Sequence, residues 1–273
     1  MPLRHSAVLL FVFLASSCWL PFQGAKQSSP AEFVSQIKRV KCDNRDRLES
    51  VRSLFSEFGA DPGDLEIEDF EYVKNLAVTV PGETDETIVV GAHYDKTTLG
   101  CGAIDNWTGI VILANLYKSL KDQRNKKTFR FVAFGDEEKG LVGSREMVRA
   151  IPKGRLAKHC AMVNFDSFGF EDLWALQRAS DASLINLAKN LAIRNGTALP
   201  VKNYSGAVSD SRSFQIKGIP AITLSGLDDN WRSYLHQEKD QLSNINIEKV
   251  FENYVFALEY LEEIDSSRCD EFR

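Results

Sequence analysis

The sequence predicts a three-layer α/β/α sandwich around a mixed, largely parallel β-sheet. Apolar runs of strand length alternate with segments of helical periodicity through most of the chain, the pattern of strands separated by helices. A histidine and several acidic residues follow the ends of three strand candidates, where open α/β sheets collect their functional groups. The 273 residues, 44% hydrophobic and 26% charged, lie in the ordinary globular range, long enough for a substantial core and without low-complexity tracts or fixed-period repeats.

Residues 1–24 stand apart. Arg4 and His5 precede the apolar run from Ala7 to Leu14, and the small residues Ala15, Ser16 and Ser17 follow, which is the order of a secretory signal. The run is too short to span a bilayer. Cleavage after Ser17 satisfies the small-x-small rule, while Cys18 directly after it also reads as a loose lipid-attachment box. The segment is expected to be a signal peptide, leaving 25–273 as one exported domain, periplasmic or secreted, with membrane attachment through a lipidated Cys18 as the second outcome. Removing Arg4 changes the formal charge from −5 to −6, and a mildly acidic chain gives no reason to expect nucleic acid. The four cysteines beyond Cys18 (Cys42, Cys101, Cys160 and Cys269) permit two disulfides in three connectivities or remain buried thiols, and the lack of a C-x-x-C pair argues against a cysteine zinc ribbon.

Along the domain, Phe33, Ile37, Val40, Val51, Leu54, Phe55 and Phe58 recur at mostly helical spacing, so one or two helices are expected between Ala31 and Phe58. After a turn cluster from Gly59 to Asp64, two β-rich runs, Tyr72 to Val80 and Thr87 to Gly91, flank Pro81-Gly82 and read as a hairpin. The alternation then begins. A helix is expected near Thr108 to Leu120, a strand at Phe129 to Phe134, a helix at Leu141 to Ala150 and a strand at Ala161 to Phe165. A strand at Leu173 to Leu176 follows, then helices near Leu184 to Arg194 and Ser211 to Ile216. The series ends with a strand at Ile219 to Leu224 and a helix at Ile247 to Ile264.

The chemistry sits in five short motifs: G-A-H-Y-D (Gly91 to Asp95), G-A-I-D-N-W-T-G (Gly102 to Gly109), F-G-D-E-E-K-G-L-V-G-S (Phe134 to Ser144), N-F-D-S (Asn164 to Ser167) and Y-L-H (Tyr234 to His236). Each alone is weak, because a strand-end His or Asp is more often a capping or hydrogen-bonding residue. Together, from Ile88 to Leu242, their order resembles the family of co-catalytic zinc aminopeptidases, which includes glutamate carboxypeptidases and glutaminyl cyclases. The resemblance implies a zinc-exopeptidase-like fold and two Zn2+ per chain. In it His93 and Asp166 hold one metal, Glu138 and His236 the other, and Asp105 bridges both. It makes Glu137 the catalytic base, activating a metal-bridging water for hydrolysis of a peptide substrate. Zinc favours this donor set, and catalytic sites leave a coordination position open. Asp95, two residues after His93, is expected to accept the other imidazole N–H, and Asn106 to support Asp105.

Some positions depart from the family pattern. Where the family commonly carries Ser-Asp-His, this chain has Ser209, Asp210 and Ser211, and after His236 it has Gln237, Glu238 and Asp240, of which Asp240 is the expected support of His236. Tyr204, Trp107 and Trp231 are candidates for contact with the substrate. An aminopeptidase is the favoured activity. A carboxypeptidase or a glutaminyl-peptide cyclotransferase of the same fold is the alternative, although the short link from Glu138 to Ser144 resembles the peptidases more than the cyclases. A non-enzymatic relative with a decayed site conflicts with the intact donor set, and no G-x-S-x-G elbow supports a serine hydrolase. No protein partner is evident.

Overall fold

The computed structural model describes residues 27–273, so the signal and lipid-attachment expectations, at 1–24 and Cys18, lie outside the described residues. Two helices come first. α1 (Pro30–Ile37) opens on a capping box, in which Ser29 Oγ accepts the Glu32 N–H at 3.3 Å and Glu32 Oε2 accepts the Ser29 N–H at 2.7 Å. α2 (Asn44–Glu57) opens on Asp43, whose carboxylate accepts the Arg45 N–H. Their buried faces are Phe33 and Ile37 from α1, and Val51, Leu54 and Phe55 from α2.

Eight strands form one sheet among the described residues: β1 (Glu66–Phe70), β2 (Val73–Val80), β3 (Thr87–His93), β4 (Thr128–Phe134), β5 (His159–Phe165), β6 (Trp174–Leu176), β7 (Val201–Lys202) and β8 (Ala221–Ser225). Their spatial order is β1-β2-β4-β3-β5-β8-β6-β7. The central β4, β3, β5 and β8 are parallel, while β1 and β2 on one flank and β6 on the other bring the antiparallel pairs.

Side chains alternate across this sheet. Ile88, Val90, Ala92, Phe129, Phe131 and Ala133 face the layer of α1, α2, α3 (Thr108–Leu120), α5 (Ala182–Arg194) and α7 (Ile247–Ser266). Val89, Val132 and Phe134 face α4 (Val142–Ala150) and α6 (Ser211–Ile216). Fully burying one of the valine, isoleucine or phenylalanine side chains contributes about 1.5 to 3 kcal/mol, so both sheet faces are strongly specified.

The expected hairpin of Tyr72 to Val80 with Thr87 to Gly91 does not form. β2 pairs antiparallel with β4, and β4 lies between β2 and β3. The link from Pro81 to Glu86 docks on the segment leading into β4 instead: Glu83 and Thr84 donate their N–H groups to the carbonyls of Asn125 and Lys126, and Thr128 donates to Glu86. A turn dipeptide reports a change of direction, not which strand lies alongside. The true hairpin is β1 with β2, and β1 escapes sequence patterning because the edge run Glu-Ile-Glu-Asp-Phe is mostly exposed and acidic.

All four cysteines of the described chain are paired. Cys42–Cys101 ties the segment before α2 to the loop after β3, and Cys160–Cys269 ties β5 to the C-terminal turn Cys269–Phe272. The buried-thiol alternative is therefore excluded.

Candidate metal centre

Because β3, β4 and β5 are parallel neighbours, the residues beyond their ends emerge at one edge of the sheet. His93 closes β3, Glu137 and Glu138 follow β4 by a turn through Gly135 and Asp136, and Asp166 directly follows β5. Asp105 arrives on the turn Ala103–Trp107, where it and Asn106 leave helical geometry before α3 begins. The fifth donor, His236, lies in the loop after β8, with a φ of 59°.

The five side chains converge in two triads that share Asp105. His93 Nε2 lies 3.1 Å from Asp105 Oδ1 and 3.6 Å from Asp166 Oδ1. His236 Nε2 lies 3.2 Å from Asp105 Oδ2 and 3.1 Å from Glu138 Oε2. Within each triad the candidate donor atoms fall within 4.8 Å of one another. Asp105 Oδ1 and Glu138 Oε1 are buried without a hydrogen bond. A carboxylate oxygen left that way is costly unless a cation meets it. Imidazole nitrogen with carboxylate oxygen is a donor set that zinc takes, so the residues fit a pair of zinc ions.

The electrostatics show a surplus of acid. Hydrogen bonding to Asp105 and Glu138 raises the His236 imidazole to about 11, holding a proton where a bound cation would stand. Burial pushes Asp105 upward, yet the adjacent His236 and His93 imidazoles keep it well below the ordinary carboxylate range. Glu138 moves the other way, raised by burial and by the nearby Asp105 charge. Burial also raises Glu137 well above its ordinary value against the pull of His93, and the charges of Asp210, Asp166 and Asp105 add to the rise.

A second layer of contacts holds these donors. Asp95 is buried, with Oδ1 accepting the Glu137 N–H at 2.9 Å and Oδ2 accepting the Glu138 N–H at 3.2 Å, while His93 Nδ1 hydrogen-bonds the Asp95 backbone carbonyl at 3.2 Å and lies 3.5 Å from Oδ1. It thus orients base and ligand backbone as well as the imidazole. Asn106 donates to the Phe165 carbonyl at 2.8 Å and accepts N–H bonds from Gly109 and Ser167, joining the Asp105 turn to the end of β5. Gly109 is required there, since a Cβ would collide with Asn106 Oδ1 and come within 2.6 Å of the Phe165 carbonyl oxygen. Asp240 does not support His236. Its carboxylate accepts the Ile104 N–H at 2.6 Å and the Asp105 N–H at 3.3 Å, because the chain after His236 folds back against that turn.

A cavity of about 440 Å³ opens beside the triads. Tyr204 and Trp231 line it together with Trp174, Leu227 and Leu235. The Tyr204 ring packs 5.5 Å from Trp174 and 5.4 Å from Trp231, and its hydroxyl donates to Asp229 Oδ1 at 3.1 Å. Trp107 is not in this wall. It is 1% exposed, and its indole N–H donates to the Gln36 carbonyl at 3.1 Å, because α3 carries it into the core beneath α1. The expected substrate contact at Trp107 is thus corrected to a packing role.

Two residues at the site were not singled out from sequence as functional. Asp210 is fully buried, neither carboxylate oxygen has a hydrogen bond, and burial raises the group to about 7. The signal was present in the departed Ser-Asp-Ser run but carried no direction. Arg47 is also fully buried and reaches both loops that carry His93 and Asp105. No local motif marks it, since it lies in an amphipathic helix distant in sequence.

Comparison with known proteins agrees with this geometry. A probable leucine aminopeptidase from Trichophyton verrucosum (strain HKI 0517) is 25% identical over 240 residues, which is 80% of this chain and 64% of that protein. The chain spans between 44% and 64% of the first three curated relatives it matches. Among solved structures, the Legionella pneumophila LapA aminopeptidase is 20% identical with a TM-score of 0.71, covering 89% of this chain and 77% of that one. The Porphyromonas gingivalis glutaminyl cyclase is 17% identical with a TM-score of 0.71, covering 86% of this chain and 98% of that one. Both structures share the α/β fold. The model of peptidase family M28 matches residues 75–260, a span that carries all five candidate donors and Glu137 and covers well over half of the sequence, so this chain belongs to peptidase family M28.

Proposed function

We propose that this protein is a zinc-dependent aminopeptidase that holds two Zn2+, one on His93 and Asp166, the other on Glu138 and His236, with Asp105 bridging. The observation that carries the reading is the division of one buried carboxylate: Asp105 Oδ1 faces His93 while Oδ2 faces His236. When bound, the zinc pair supplies Lewis-acid polarisation of the scissile carbonyl and of the attacking water.

The chain's own groups do the remaining work. Glu137 takes the proton of the attacking water and returns it to the leaving amine, a task suited to a carboxylate that burial makes more basic than usual. Asp95 fixes the backbone of Glu137 and Glu138 through their N–H groups, so that adjacent side chains serve different roles. Trp174, Trp231, Leu227 and Leu235 exclude water and receive an apolar substrate side chain. The leucine aminopeptidase named among the relatives supports this substrate class.

A glutaminyl-peptide cyclotransferase is the second reading, favoured by near-complete coverage of a cyclase structure. Against it stands the short connection from Glu138 to α4, which starts at Val142. The deciding assay uses purified protein, with and without chelator and added zinc. Its substrates are aminoacyl anilides, a C-terminally blocked peptide and an N-terminal glutamine peptide. Zinc-dependent cleavage of the first two is expected, and ammonia release from the third without cleavage of the others would overturn the aminopeptidase reading. Glu137→Gln is expected to lower turnover by several orders of magnitude while zinc remains bound; an active, zinc-loaded variant would remove Glu137 from its role.

Export belongs to the same proposal. Its supports are the N-terminal pattern and two disulfides of the kind that persist in oxidising compartments. Mass analysis of the mature protein's N-terminus separates plain cleavage from lipid attachment at Cys18.

A further inference from the structure

We propose that Arg47 is a positioning residue for the metal pair, the side chain through which helix α2 sets the spacing between the His93 loop and the Asp105 turn. This inference rests on the two-zinc reading above. Arg47 has no exposed surface, and its guanidinium meets no carboxylate directly. All three nitrogens donate to backbone carbonyls instead: Nε to Tyr94, Nη1 to Lys41 at 2.9 Å and Cys101 at 3.1 Å, and Nη2 to Gly102 at 3.1 Å. Tyr94 is the neighbour of His93, and Gly102 stands three residues before Asp105. One rigid planar fork therefore spans the two segments that contribute His93 and Asp105 to the first triad.

Further contacts place the fork. Its carbon lies 5.7 Å from the centre of the Trp107 ring, two residues beyond Asp105. One turn earlier on α2, Asn44 pairs with both backbone groups of Lys96, donating to its carbonyl and accepting its N–H, each at 2.9 Å. The Cys42–Cys101 disulfide closes the same junction covalently. α2 and the segment before it thus grip this junction at three points, and only Arg47 touches the two loops together among these three. Residue 47 lies outside the 75–260 span matched by the family, so this element of the site is carried by a part of the chain that the family match does not cover.

Charge and shape make opposite predictions for Arg47, which separates the roles. A buried guanidinium acting only through its charge repels zinc, so neutralising it would tighten binding. A guanidinium acting as a spacer is needed in its own geometry, and neither a neutral chain nor a lysine replaces it, because an ammonium is a compact point charge without a fork. A residue serving only the fold would lower the melting temperature and leave the affinity of the folded protein unchanged.

The test measures zinc stoichiometry and affinity by chelator competition on full-length mature protein, together with melting temperature and the visible spectrum of the Co2+-loaded form. The variants are Arg47→Lys and Arg47→Met, with Phe33→Leu as a core variant packed against Phe251 and Tyr254 of α7. Wild type is expected to take up two equivalents. Both Arg47 variants are expected to lose roughly 10- to 100-fold in affinity, the range for supports of metal ligands, with an altered Co2+ spectrum, while Phe33→Leu melts earlier with affinity intact. Wild-type affinity in a folded Arg47→Lys, tighter binding in Arg47→Met, or failure of both variants to fold with or without zinc would each overturn the inference. Wild type that takes up no zinc would overturn the metal reading itself, and this inference with it.

Discussion

Replacing Asp210 by asparagine should stabilise the metal-free protein at neutral pH. The carboxyl is fully buried, neither oxygen has a hydrogen bond, and burial raises it from 3.8 to about 7. Between those values the folded chain keeps the Asp210 proton while the unfolded chain has released it. The unfolded state therefore binds fewer protons, and stability falls as pH rises through that window. At neutral pH the accumulated cost is about 4 kcal/mol, taken as an upper figure because the site can relax. Asn has the shape of the protonated acid and does not titrate. Chelator-treated wild type and Asp210→Asn would be unfolded in urea from about pH 4 to about pH 7, the span of that window. The variant should match wild type at the acid end and exceed it increasingly toward neutrality. A variant that is less stable at neutral pH, or a gap that does not change with pH, would refute the account of Asp210 as a buried, unpaired acid.

Trp107→Phe removes the indole N–H bond to Gln36 and leaves a cavity, so the melting temperature should fall, by an amount corresponding to about 1 to 3 kcal/mol, while KM of the folded enzyme stays put; a KM change without loss of stability would return Trp107 to the substrate wall. Trp231→Ala, by contrast, opens the cavity wall and should raise KM for bulky apolar aminoacyl anilides far more than for alanyl anilide, with little change in melting temperature. Replacing both Cys160 and Cys269 by serine frees a loop closed over a separation of 109 residues, for which chain entropy predicts a loss of up to about 5 kcal/mol; chemical denaturation that shows no loss would mean the unfolded chain is already constrained there.

The central helices and strands were legible because each carries a strong period: α3, β4, β5 and α6 fall within a residue or two of their predicted bounds. β1 and β7 were not, one being an exposed acidic edge and the other only two residues long. The hairpin error arose from reading proximity in sequence as proximity in the sheet, whereas β4 inserts between β2 and β3. At the site, the five candidate donors and Glu137 stood out through the resemblance of their motif order to that of a known family, with His93, Glu137, Glu138 and Asp166 also placed by the strand ends they follow. Asp240 was assigned the wrong partner, and Arg47 was passed over, because what each touches is set by chain segments far away in sequence.

Sequence by itself determined the α/β class, the alternation of its core elements and the residue types offered at the sheet edge, because hydrophobic period and motif order are local properties. Only the tertiary structure decided the strand order, the disulfide pairing, the sharing of Asp105 between two histidines, the removal of Trp107 from the cavity wall and the reach of Arg47 across two loops. Each of these depends on distances between segments tens to hundreds of residues apart, which packing sets and no single stretch of chain encodes.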